Sequence, residues 1–305
     1  MKILVTGSNG LLGQKILAQG IQDPDLEIVA CSKGPDRVES ISGYTYFELD
    51  ICDRQAVIDL ITSQLPDVVI NTAAMTNVDA CESDKDLCWQ VNVDAVGYMI
   101  EACKKIKSQL IHLSTDFVFN GEAGPYAETD EPKPLSYYGR SKHASEALLV
   151  NSGLEHWAIA RTIIVYGIAE NMSRTNVVLW AKGALEKGEP IRVVDDQFRS
   201  PTLAEDLAAG CILIAKKKAN GIFHLSGKDT MSILELVNRV AGHFGLDAGK
   251  VEPIKTASLG QPAARPPRTG FVLDKAIHEL GYAPHSFEDG LVILAEQLDR
   301  TDPKN

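Results

Sequence analysis

The sequence predicts an α/β protein with a doubly wound parallel sheet and a smaller, mixed C-terminal region. Short apolar runs alternate with helix-like stretches through the first half of the chain. The runs are rich in Val and Ile, which is typical of strands that helices cover on both faces. Strands separated by helices connect through right-handed crossovers, so the sheet is expected to be parallel with helices on both sides.

The first half of the chain contains five predicted strands, each a short run of apolar or β-branched residues. They are Lys2–Thr6, Glu27–Cys31, Tyr44–Leu49, Asp67–Asn71 and Gln109–Ser114. Between them we predict helices over Leu11–Ile21, Asp53–Gln64 and Asp84–Lys107. A later helix at about Ser136–Asn151 precedes one more strand in the segment HWAIARTIIVYG, residues 156–167.

Composition restricts the class of protein. The chain has 305 residues, of which 45% are hydrophobic and 23% charged, as in a globular protein with a substantial core. Its formal net charge of -11 disfavours nucleic acid or an anionic membrane as partner, although a local pocket for a phosphorylated small molecule is compatible with it. No run reaches the roughly 18 apolar residues of a membrane span, and the strand pattern begins at once, so we expect no signal peptide.

The six cysteines are expected to be reduced thiols of a cytoplasmic protein. They form no C-x-x-C pair and have no histidine at a spacing suited to zinc, so we expect no metal site.

A glycine-rich segment, TGSNGLLG at Thr6–Gly13, follows the first strand and opens the first helix. A G-x-x-G-x-x-G pattern in this position is typical of a Rossmann-like loop that lets the backbone approach a dinucleotide pyrophosphate. The positive end of the helix then favours the anion. A tight strand-to-helix turn without a ligand is the alternative.

The end of the second strand bears on which nicotinamide cofactor is used. An acidic residue there binds the adenine ribose hydroxyl and repels a 2′-phosphate. This chain has Ser32 and Lys33 instead, so we favour NADP(H), with NAD(H) possible. Asp36 and Arg37, which carry opposite charges, follow closely in the sequence. The alternative interpretation of Lys33 is a solvated loop lysine with no role in cofactor choice.

The ends of three further strands carry residues suited to a ligand, because open α/β sheets bind ligands at that edge. Asp50 and Ile51 follow the third strand, and the small residues of segment 71–74 follow the fourth. Thr115 ends the fifth strand, where its hydroxyl is suited to hold a substrate carbonyl. The neighbouring Asp116 is suited either to bind substrate hydroxyls or to cap a turn.

Tyr138 and Lys142 are four residues apart and therefore share one face of the predicted helix. An ammonium group in that position is expected to lower the pKa of the phenol. A phenol tuned in this way exchanges a proton with a carbinol oxygen near neutral pH.

In this order, the motifs resemble the extended short-chain dehydrogenase/reductase family, and within it the dTDP-4-dehydrorhamnose reductases. The resemblance extends from Met1 to about Leu291. The segments that carry it are TGSNGLLG, INTAAMTNVDACE, LSTDFVFNGEAGPYAE, YYGRSKHASE, ARTIIVYG, VVDDQFRSPT and ARPPRTG.

The resemblance implies a catalytic set of Thr115, Tyr138 and Lys142, with Tyr138 protonating the keto oxygen during reduction. It implies a substrate site that includes Thr115 and Asp116. The cofactor would be bound by Gly7, Asn9, Gly10, Leu11, Leu12, Ser32, Lys33, Asp50, Ile51, Ala73, Ala74, Met75, Tyr138 and Lys142.

Two departures from the family pattern affect the substrate pocket. Ile164 stands where the rhamnose-pathway reductases have a Trp that contacts the sugar, and Arg199 stands where they have Gly. Arg199 is suited to bind a diphosphate through two hydrogen bonds, with a structural ion pair as the alternative. Arg265 is also a candidate for phosphate, although an ordinary loop position is the alternative.

The sequence thus predicts a dinucleotide-binding domain over residues 1–168, to which segments 192–225 and 262–282 return. Residues 169–305 form mainly the substrate region. We expect an NAD(P)H-dependent reductase of a 4-keto-6-deoxy nucleotide sugar, with a homodimer implied by resemblance only. The alternatives are an epimerase or dehydratase, and a regulatory subunit resembling the methionine adenosyltransferase beta subunit. Phe117 argues against a dehydratase, which typically has an acid at that position.

Overall fold

The computed structural model describes residues 1–172 and 174–301. Strands are numbered in chain order: β1 (Lys2–Thr6), β2 (Glu27–Ser32), β3 (Thr45–Glu48), β4 (Val68–Asn71), β5 (Gln109–Thr115), β6 (Trp157–Thr162), β7 (Val165–Tyr166), β8 (Ile191–Val194), β9 (Phe198–Arg199), β10 (Thr202–Leu203), β11 (Gly221–His224), β12 (Met231–Ser232) and β13 (Val251–Ile254). Within the described residues, the central sheet has seven parallel strands in the order β11-β6-β5-β4-β1-β2-β3.

Helices cover both faces of this sheet. In chain order they are α1 (Leu11–Gly20), α2 (Arg54–Gln64), α3 (Val78–Ser83), α4 (Lys85–Trp89), α5 (Ala95–Ile106), α6 (Tyr137–Val150), α7 (Val177–Glu186), α8 (Ala204–Lys217), α9 (Ile233–Phe244) and α10 (Phe287–Thr301). A π-helical turn, Gln90–Asp94, joins α4 to α5.

Strand β1 shows how the sequence produces a two-sided core. Ile3 and Val5 are buried in the apolar cluster on one face of the sheet, and Leu4 is buried in the cluster on the other. Alternate residues of a strand point to opposite faces, so an unbroken apolar run requires helices on both sides. The predicted doubly wound α/β class is therefore confirmed.

Most predicted elements of the first half occur within one or two residues of their expected bounds. The predicted helix Asp84–Lys107 is α4, the π-helical turn and α5, and it ends where Lys107 adopts a left-handed φ of 59°. The short helix α3 was not predicted. It begins where the Asn77 side chain accepts a hydrogen bond from the backbone N–H of Ala80 at 3.2 Å.

The prediction of a single strand over residues 156–167 is wrong. The segment breaks between β6 and β7, and Ile164 adopts a φ of +32°. This conformation is strained for a β-branched residue. Strand β7 leaves the central sheet and pairs with β10, while the Ile164 carbonyl accepts a hydrogen bond from the Thr202 N–H at 3.1 Å.

The second half of the chain contributes to two cores. Strand β11 pairs with β6, and α8 packs against α1, so parts of segment 192–225 lie on the central sheet. Helices α7, α9 and α10 pack with β8 around a separate apolar cluster. The domain boundaries themselves stay a prediction, and residues 173 and 302–305 of the predicted substrate region lie outside the described residues.

The order of the strands places a crevice at the carboxyl edge of the sheet. The chain moves from β1 to β2 and β3 on one side, and β4, β5 and β6 follow on the other. Helices on opposite faces diverge at such a reversal, which opens the position where ligands bind.

Within the described part of the chain, each helix is too short or too polar to cross a lipid bilayer.

Candidate active site

The loop between β1 and α1 is built around glycines that leave no room for side chains. Gly7 has a φ of +68°, and a Cβ there would lie 2.7 Å from the backbone N of Ala73. A Cβ on Gly13 would lie 2.5 Å from the carbonyl oxygen of Gly7. The Gly10 N–H donates to the same oxygen at 2.9 Å, which closes the turn. The backbone is consequently open to close approach by a ligand.

The start of α1 is suited to an anion. Gly10 provides no side-chain cap, and the first turn has no acidic residue. The first N–H groups of a helix lack internal partners and carry its positive dipole end. The hydroxyl of Ser8, buried in the same loop, also has no hydrogen-bond partner among the described residues. These features fit the pyrophosphate of a dinucleotide.

The crevice consists of three adjoining cavities, and Ala74 lines all of them. The β2-side cavity, of 430 Å³, is lined by Gly7, Asn9, Gly10, Ser32, Lys33, Asp50, Ile51 and Ala73. The central cavity, of 630 Å³, is lined by Asn9, Gly10, Leu11, Leu12 and Met75. The β5-side cavity, of 360 Å³, is lined by Leu12, Thr115, Asp116, Tyr138 and Lys142. The crevice therefore brings together every residue predicted to bind the cofactor; their contacts with a cofactor stay a prediction.

In the β2-side cavity, Lys33 is paired with Asp50. The Lys33 Nζ lies 2.7 Å from Asp50 Oδ2, and Asp50 Oδ1 accepts a hydrogen bond from the Cys52 N–H at 3.0 Å. The hydrogen bond from Lys33 lowers the pKa of the Asp50 carboxyl group, which is therefore charged at neutral pH. Arg37 lines the same cavity, so two cations surround this end of the crevice.

Helix α6 delivers the catalytic candidates to the β5-side cavity. The Ser136 hydroxyl caps the helix by accepting a hydrogen bond from the Gly139 N–H at 3.2 Å. A Cβ on Gly139 would collide with the carbonyl oxygen of Phe117, so the glycine lets α6 lie close to the chain that follows β5. Tyr138 and Thr115 consequently line the same cavity.

The expectation that Lys142 lowers the pKa of Tyr138 is wrong for this structure. Burial raises the pKa of the phenol well above its ordinary value, and the nearby Thr115 hydroxyl only partly opposes this. No hydrogen bond joins Lys142 to Tyr138 in the described part of the chain, because the Lys142 Nζ lies 3.1 Å from Nε2 of His112. Tyr138 is thus fully protonated at neutral pH.

Lys142 lines the β5-side cavity but is otherwise buried among polar groups. Burial lowers its pKa to about 8, although the nearby Glu146 carboxylate raises it. Burial, together with the charge of Lys142, lowers the pKa of His112 well below its ordinary value. His112 is therefore neutral, and its other ring nitrogen lies 3.1 Å from Nδ2 of Asn71.

Arg199 does not reach the crevice, contrary to the hypothesis that it binds a diphosphate. Its side chain is 2% exposed, and its guanidinium donates to the carbonyl oxygens of Phe198 and Pro266, each at 2.7 Å. Its Nε lies 3.7 Å from Asp116 Oδ2. The structure therefore favours the alternative, a structural ion pair.

Asp116 lines the β5-side cavity, but its carboxylate is engaged by the protein. It accepts hydrogen bonds from the hydroxyls of Thr115, at 3.0 Å, and Thr269. Burial raises its pKa, while Arg199 and the two hydroxyls lower it.

Arg265 is likewise held by a carboxylate. Its guanidinium donates two hydrogen bonds to Asp79, at 3.1 and 2.7 Å, and a third to the carbonyl oxygen of Ala263. Arg265 does not line the three cavities described here, so its predicted phosphate contact has no geometric support.

Sequence reasoning missed three residues of this site. Arg174 lines the central cavity, and among the described residues no carboxylate lies within 4.0 Å of its guanidinium. His112 lies inside the predicted strand Gln109–Ser114, where the sequence pattern gives it no functional role. Asn71 appears only as the first residue of the small-residue segment 71–74. The sequence signal for Asn71 and His112 was that both are polar residues in strands predicted to be apolar. In the structure the two are direct partners in the pairing of β4 with β5.

The described residues contain no group of three or more His, Cys, Asp or Glu side chains arranged to hold a metal ion. All six cysteines are free thiols.

The family model for the RmlD substrate binding domain matches residues 1–300. The chain belongs to this family. Similar proteins include a probable low-salt glycan biosynthesis reductase of Haloferax volcanii, 31% identical over 96% of this chain and 97% of that protein. A dTDP-4-dehydrorhamnose reductase of Sinorhizobium fredii is 31% identical over 95% of each chain. The methionine adenosyltransferase 2 subunit beta of Rattus norvegicus is 30% identical over 83% of this chain and 75% of that one.

Solved structures agree with this assignment. A dTDP-4-dehydrorhamnose reductase of Clostridium acetobutylicum has 29% identity and a TM-score of 0.85, covering 98% of this chain and 100% of that one. The dTDP-4-dehydrorhamnose reductase of Bacillus anthracis, in complex with NADP, has 26% identity and a TM-score of 0.81. The match covers 97% of this chain and 99% of that one. Together with family membership, these relatives make the chain an NAD(P)-dependent oxidoreductase similar to dTDP-4-dehydrorhamnose reductase.

Proposed function

We propose that the protein reduces the keto group of a 4-keto-6-deoxy nucleotide sugar, using NADP(H) in preference to NAD(H). The observation that carries this proposal is the meeting of Thr115, Tyr138 and Lys142 in the β5-side cavity, which adjoins the open glycine loop. A proton donor and a dinucleotide-binding loop in one crevice suit carbonyl reduction.

Gly7, Gly10 and Ala73 would hold the dinucleotide, whose reduced nicotinamide would supply a hydride to the carbonyl carbon. The complementary task of the protein is to give a proton to the carbonyl oxygen. Tyr138 suits this task because its raised pKa keeps the phenol protonated.

Thr115 is proposed to hold the substrate carbonyl beside Tyr138. Its hydroxyl donates to Asp116 at 3.0 Å and accepts from the Phe117 N–H at 3.2 Å. Turning its proton from Asp116 to the substrate oxygen requires only rotation of the hydroxyl. Asp116 keeps its hydrogen bond from Thr269 and its ion pair with Arg199 in that event.

The preference for NADP(H) rests on the charge at the β2-side cavity. Ser32 ends β2 where an acid would repel a 2′-phosphate, and Lys33 and Arg37 are cations beside it. The NADP-bound reductase of Bacillus anthracis supports this choice by similarity. Asp50 opposes it, because it partly neutralises Lys33.

The nucleotide-sugar substrate is supported by the names of the similar reductases and by the shape of the crevice. The β5-side cavity is bordered by Phe117, Ile164 and Val165, which offer apolar contact to a 6-deoxy carbon. Arg174 in the adjoining central cavity is available to a phosphate.

The regulatory alternative is retained because of the 30% identity to the methionine adenosyltransferase beta subunit. The intact set of Thr115, Tyr138 and Lys142 favours catalysis. An epimerase or dehydratase is also retained, but the UDP-glucose 4-epimerase of Thermus thermophilus, at 23% identity and a TM-score of 0.86, supports the fold alone.

One assay separates these functions. The purified protein is mixed with NADPH, or with NADH, and dTDP-4-keto-6-deoxy-L-mannose, and cofactor absorbance is followed. A reductase consumes NADPH only when the keto sugar is present. An epimerase or dehydratase converts a nucleotide sugar without net cofactor oxidation. A regulatory subunit gives neither reaction but changes the rate of a methionine adenosyltransferase.

A further inference from the structure

A row of polar side chains crosses three neighbouring strands of the apolar sheet. Thr6 is the pairing partner of Asn71 in β1 and β4, and Asn71 is the partner of His112 in β4 and β5. All three residues are no more than 1% exposed. Buried polar groups are costly unless they are fully hydrogen-bonded, so the row is expected to have one defined arrangement of protons.

The orientation of the Asn71 amide is fixed by its neighbours. Its Oδ1 accepts hydrogen bonds from the Thr6 hydroxyl at 2.7 Å and from the Ala73 N–H at 3.2 Å. A backbone N–H only donates, so this atom must be the oxygen. The Asn71 Nδ2, which donates, therefore faces Nδ1 of His112 at 3.1 Å. Nδ1 must accept, and the single proton of the neutral imidazole must be on Nε2.

That Nε2 lies between two groups of helix α6. It is 3.0 Å from the hydroxyl of Ser145 and 3.1 Å from Nζ of Lys142. The Ser145 hydroxyl donates its own proton to the Lys142 carbonyl oxygen at 2.8 Å, so it accepts from Nε2–H. An imidazole that presents N–H cannot accept a hydrogen bond from an ammonium, but it interacts favourably with the lone pair of a neutral amine.

We propose that His112 is a positioning residue for Lys142: Asn71 holds its proton on Nε2, and this N–H disfavours the ammonium form of Lys142. The catalytic consequence rests on the proposed reductase function. Lys142 is then able to gain and lose a proton near neutral pH, beside the phenol of Tyr138 that must be reprotonated after each reduction.

The other charged groups around Lys142 do not remove this effect. Glu146, one turn further along α6, attracts the ammonium, but it is engaged by two hydrogen bonds from the buried Arg161 at 2.9 and 2.7 Å. Cys88 of α4 also raises the pKa of Lys142 when it is ionised. Burial outweighs both. The contact with His112 then acts in the same direction as burial.

The tautomer of His112 can be measured without reference to activity. Long-range proton–nitrogen NMR of the free protein distinguishes Nδ1–H from Nε2–H, and His112→Gln identifies the signal among the seven histidines. We expect the Nε2–H form. Observation of the Nδ1–H form would overturn the proposal, whether or not the protein reduces keto sugars.

Asn71→Asp inverts the arrangement with little change in shape. One carboxylate oxygen keeps the bonds from Thr6 and Ala73, and the other accepts a proton from Nδ1 of His112, which leaves Nε2 as an acceptor. The ε-carbon NMR titration of Lys142 is then expected to move upward by at least about one pH unit. The midpoint of the pH profile for kcat should move by the same amount, with little change in KM.

Thr6→Val is the matched control. It removes a hydroxyl from the row, but the Ala73 N–H still fixes the Asn71 amide, so the tautomer and the Lys142 titration should not move. An unchanged Lys142 titration in Asn71→Asp would contradict the proposal. If no keto sugar supports NADPH oxidation while both NMR results hold, the proposed function fails and the His112 arrangement stands.

Discussion

The ammonium of Lys33 lies 2.7 Å from the carboxylate of Asp50, at the end of the crevice opposite Tyr138. Lys33 is 81% exposed, and both residues line the β2-side cavity. An exposed pair of this kind contributes little to stability, so its charges are available to a ligand. The pair therefore bears on cofactor choice more than on folding.

Lys33→Ala is expected to weaken NADPH binding at least tenfold while changing NADH binding less than threefold, because only NADPH has a 2′-phosphate; tenfold corresponds to about 1.4 kcal/mol. Asp50→Asn should have the opposite effect, since it frees the ammonium. Fluorescence titration with each cofactor gives both constants. Lys133→Ala, which removes an exposed lysine that lines none of the three cavities, is the control. Equal losses for NADPH and NADH would assign Lys33 no part in the preference.

Gly13→Ala tests the close approach within the glycine loop. Its Cβ would lie 2.5 Å from the Gly7 carbonyl oxygen and 2.6 Å from the Ser8 Cα, and backbone atoms do not yield easily. We expect at least tenfold weaker cofactor binding, about 1.4 kcal/mol, in calorimetric titration. Gly183→Ala is the matched control, because no atom of the described residues lies within 4 Å of a Cβ at this position of α7. It should leave binding unchanged and stabilise the protein by up to about 1 kcal/mol. Unaltered binding in Gly13→Ala would contradict the loop assignment.

Arg199→Ala separates a structural arginine from a phosphate ligand. The substitution leaves the buried Asp116 without its cation, and breaking a buried pair costs about 3–5 kcal/mol. Urea denaturation should report that loss. The KM for a nucleotide sugar should change little in the folded fraction. A stable variant with a large rise in KM would restore the diphosphate hypothesis.

Lys142→Met is expected to stabilise the protein at neutral pH although it abolishes catalysis. Burial lowers the Lys142 pKa from 10.5 to about 8, so the unfolded chain binds more protons between these values. The stability of the wild type therefore rises with pH across this window, and below it the buried ammonium costs about 3 kcal/mol at about 1.4 kcal/mol per pKa unit. The variant should lack this rise. Denaturation at neutral and alkaline pH measures the free energy of unfolding of the wild type and of Lys142→Met, with Lys105→Met, at an exposed position, as the control. If the free energy of unfolding changes with pH in the same way in the wild type and in Lys142→Met, the lowered pKa of Lys142 is contradicted.

The sheet and the glycine loop were predictable because their causes are local. Val and Ile runs specify strands covered on both faces, and only glycine fits the turn at Gly7. The break at Ile164 was not predictable, because TIIV at residues 162–165 is a continuous β-branched run and nothing in it signals a positive φ. The conformation follows from the pairing of β7 with β10, which is a tertiary contact.

The partners of the arginines and of His112 were beyond sequence reasoning for a related reason. Spacing cannot tell that Arg199 meets Asp116 or that Arg265 meets Asp79, since distant segments supply the carboxylates. The residues beside His112 in the sequence, Ile111 and Leu113, are apolar, and its role depends on the strand register that places it opposite Asn71. By contrast, Tyr138 and Lys142 were predictable as neighbours, because helical spacing alone brings them together.

Turnover of NADPH with dTDP-4-keto-6-deoxy-L-mannose by Tyr138→Phe tests the central claim most directly. Tyr137→Phe, which removes the adjacent phenol of α6, is the control. The account predicts a loss of at least about 10²-fold in kcat for Tyr138→Phe, with cofactor affinity nearly unchanged and Tyr137→Phe close to wild type. Wild-type turnover in Tyr138→Phe would contradict it, because the carbonyl oxygen would then take its proton from another group.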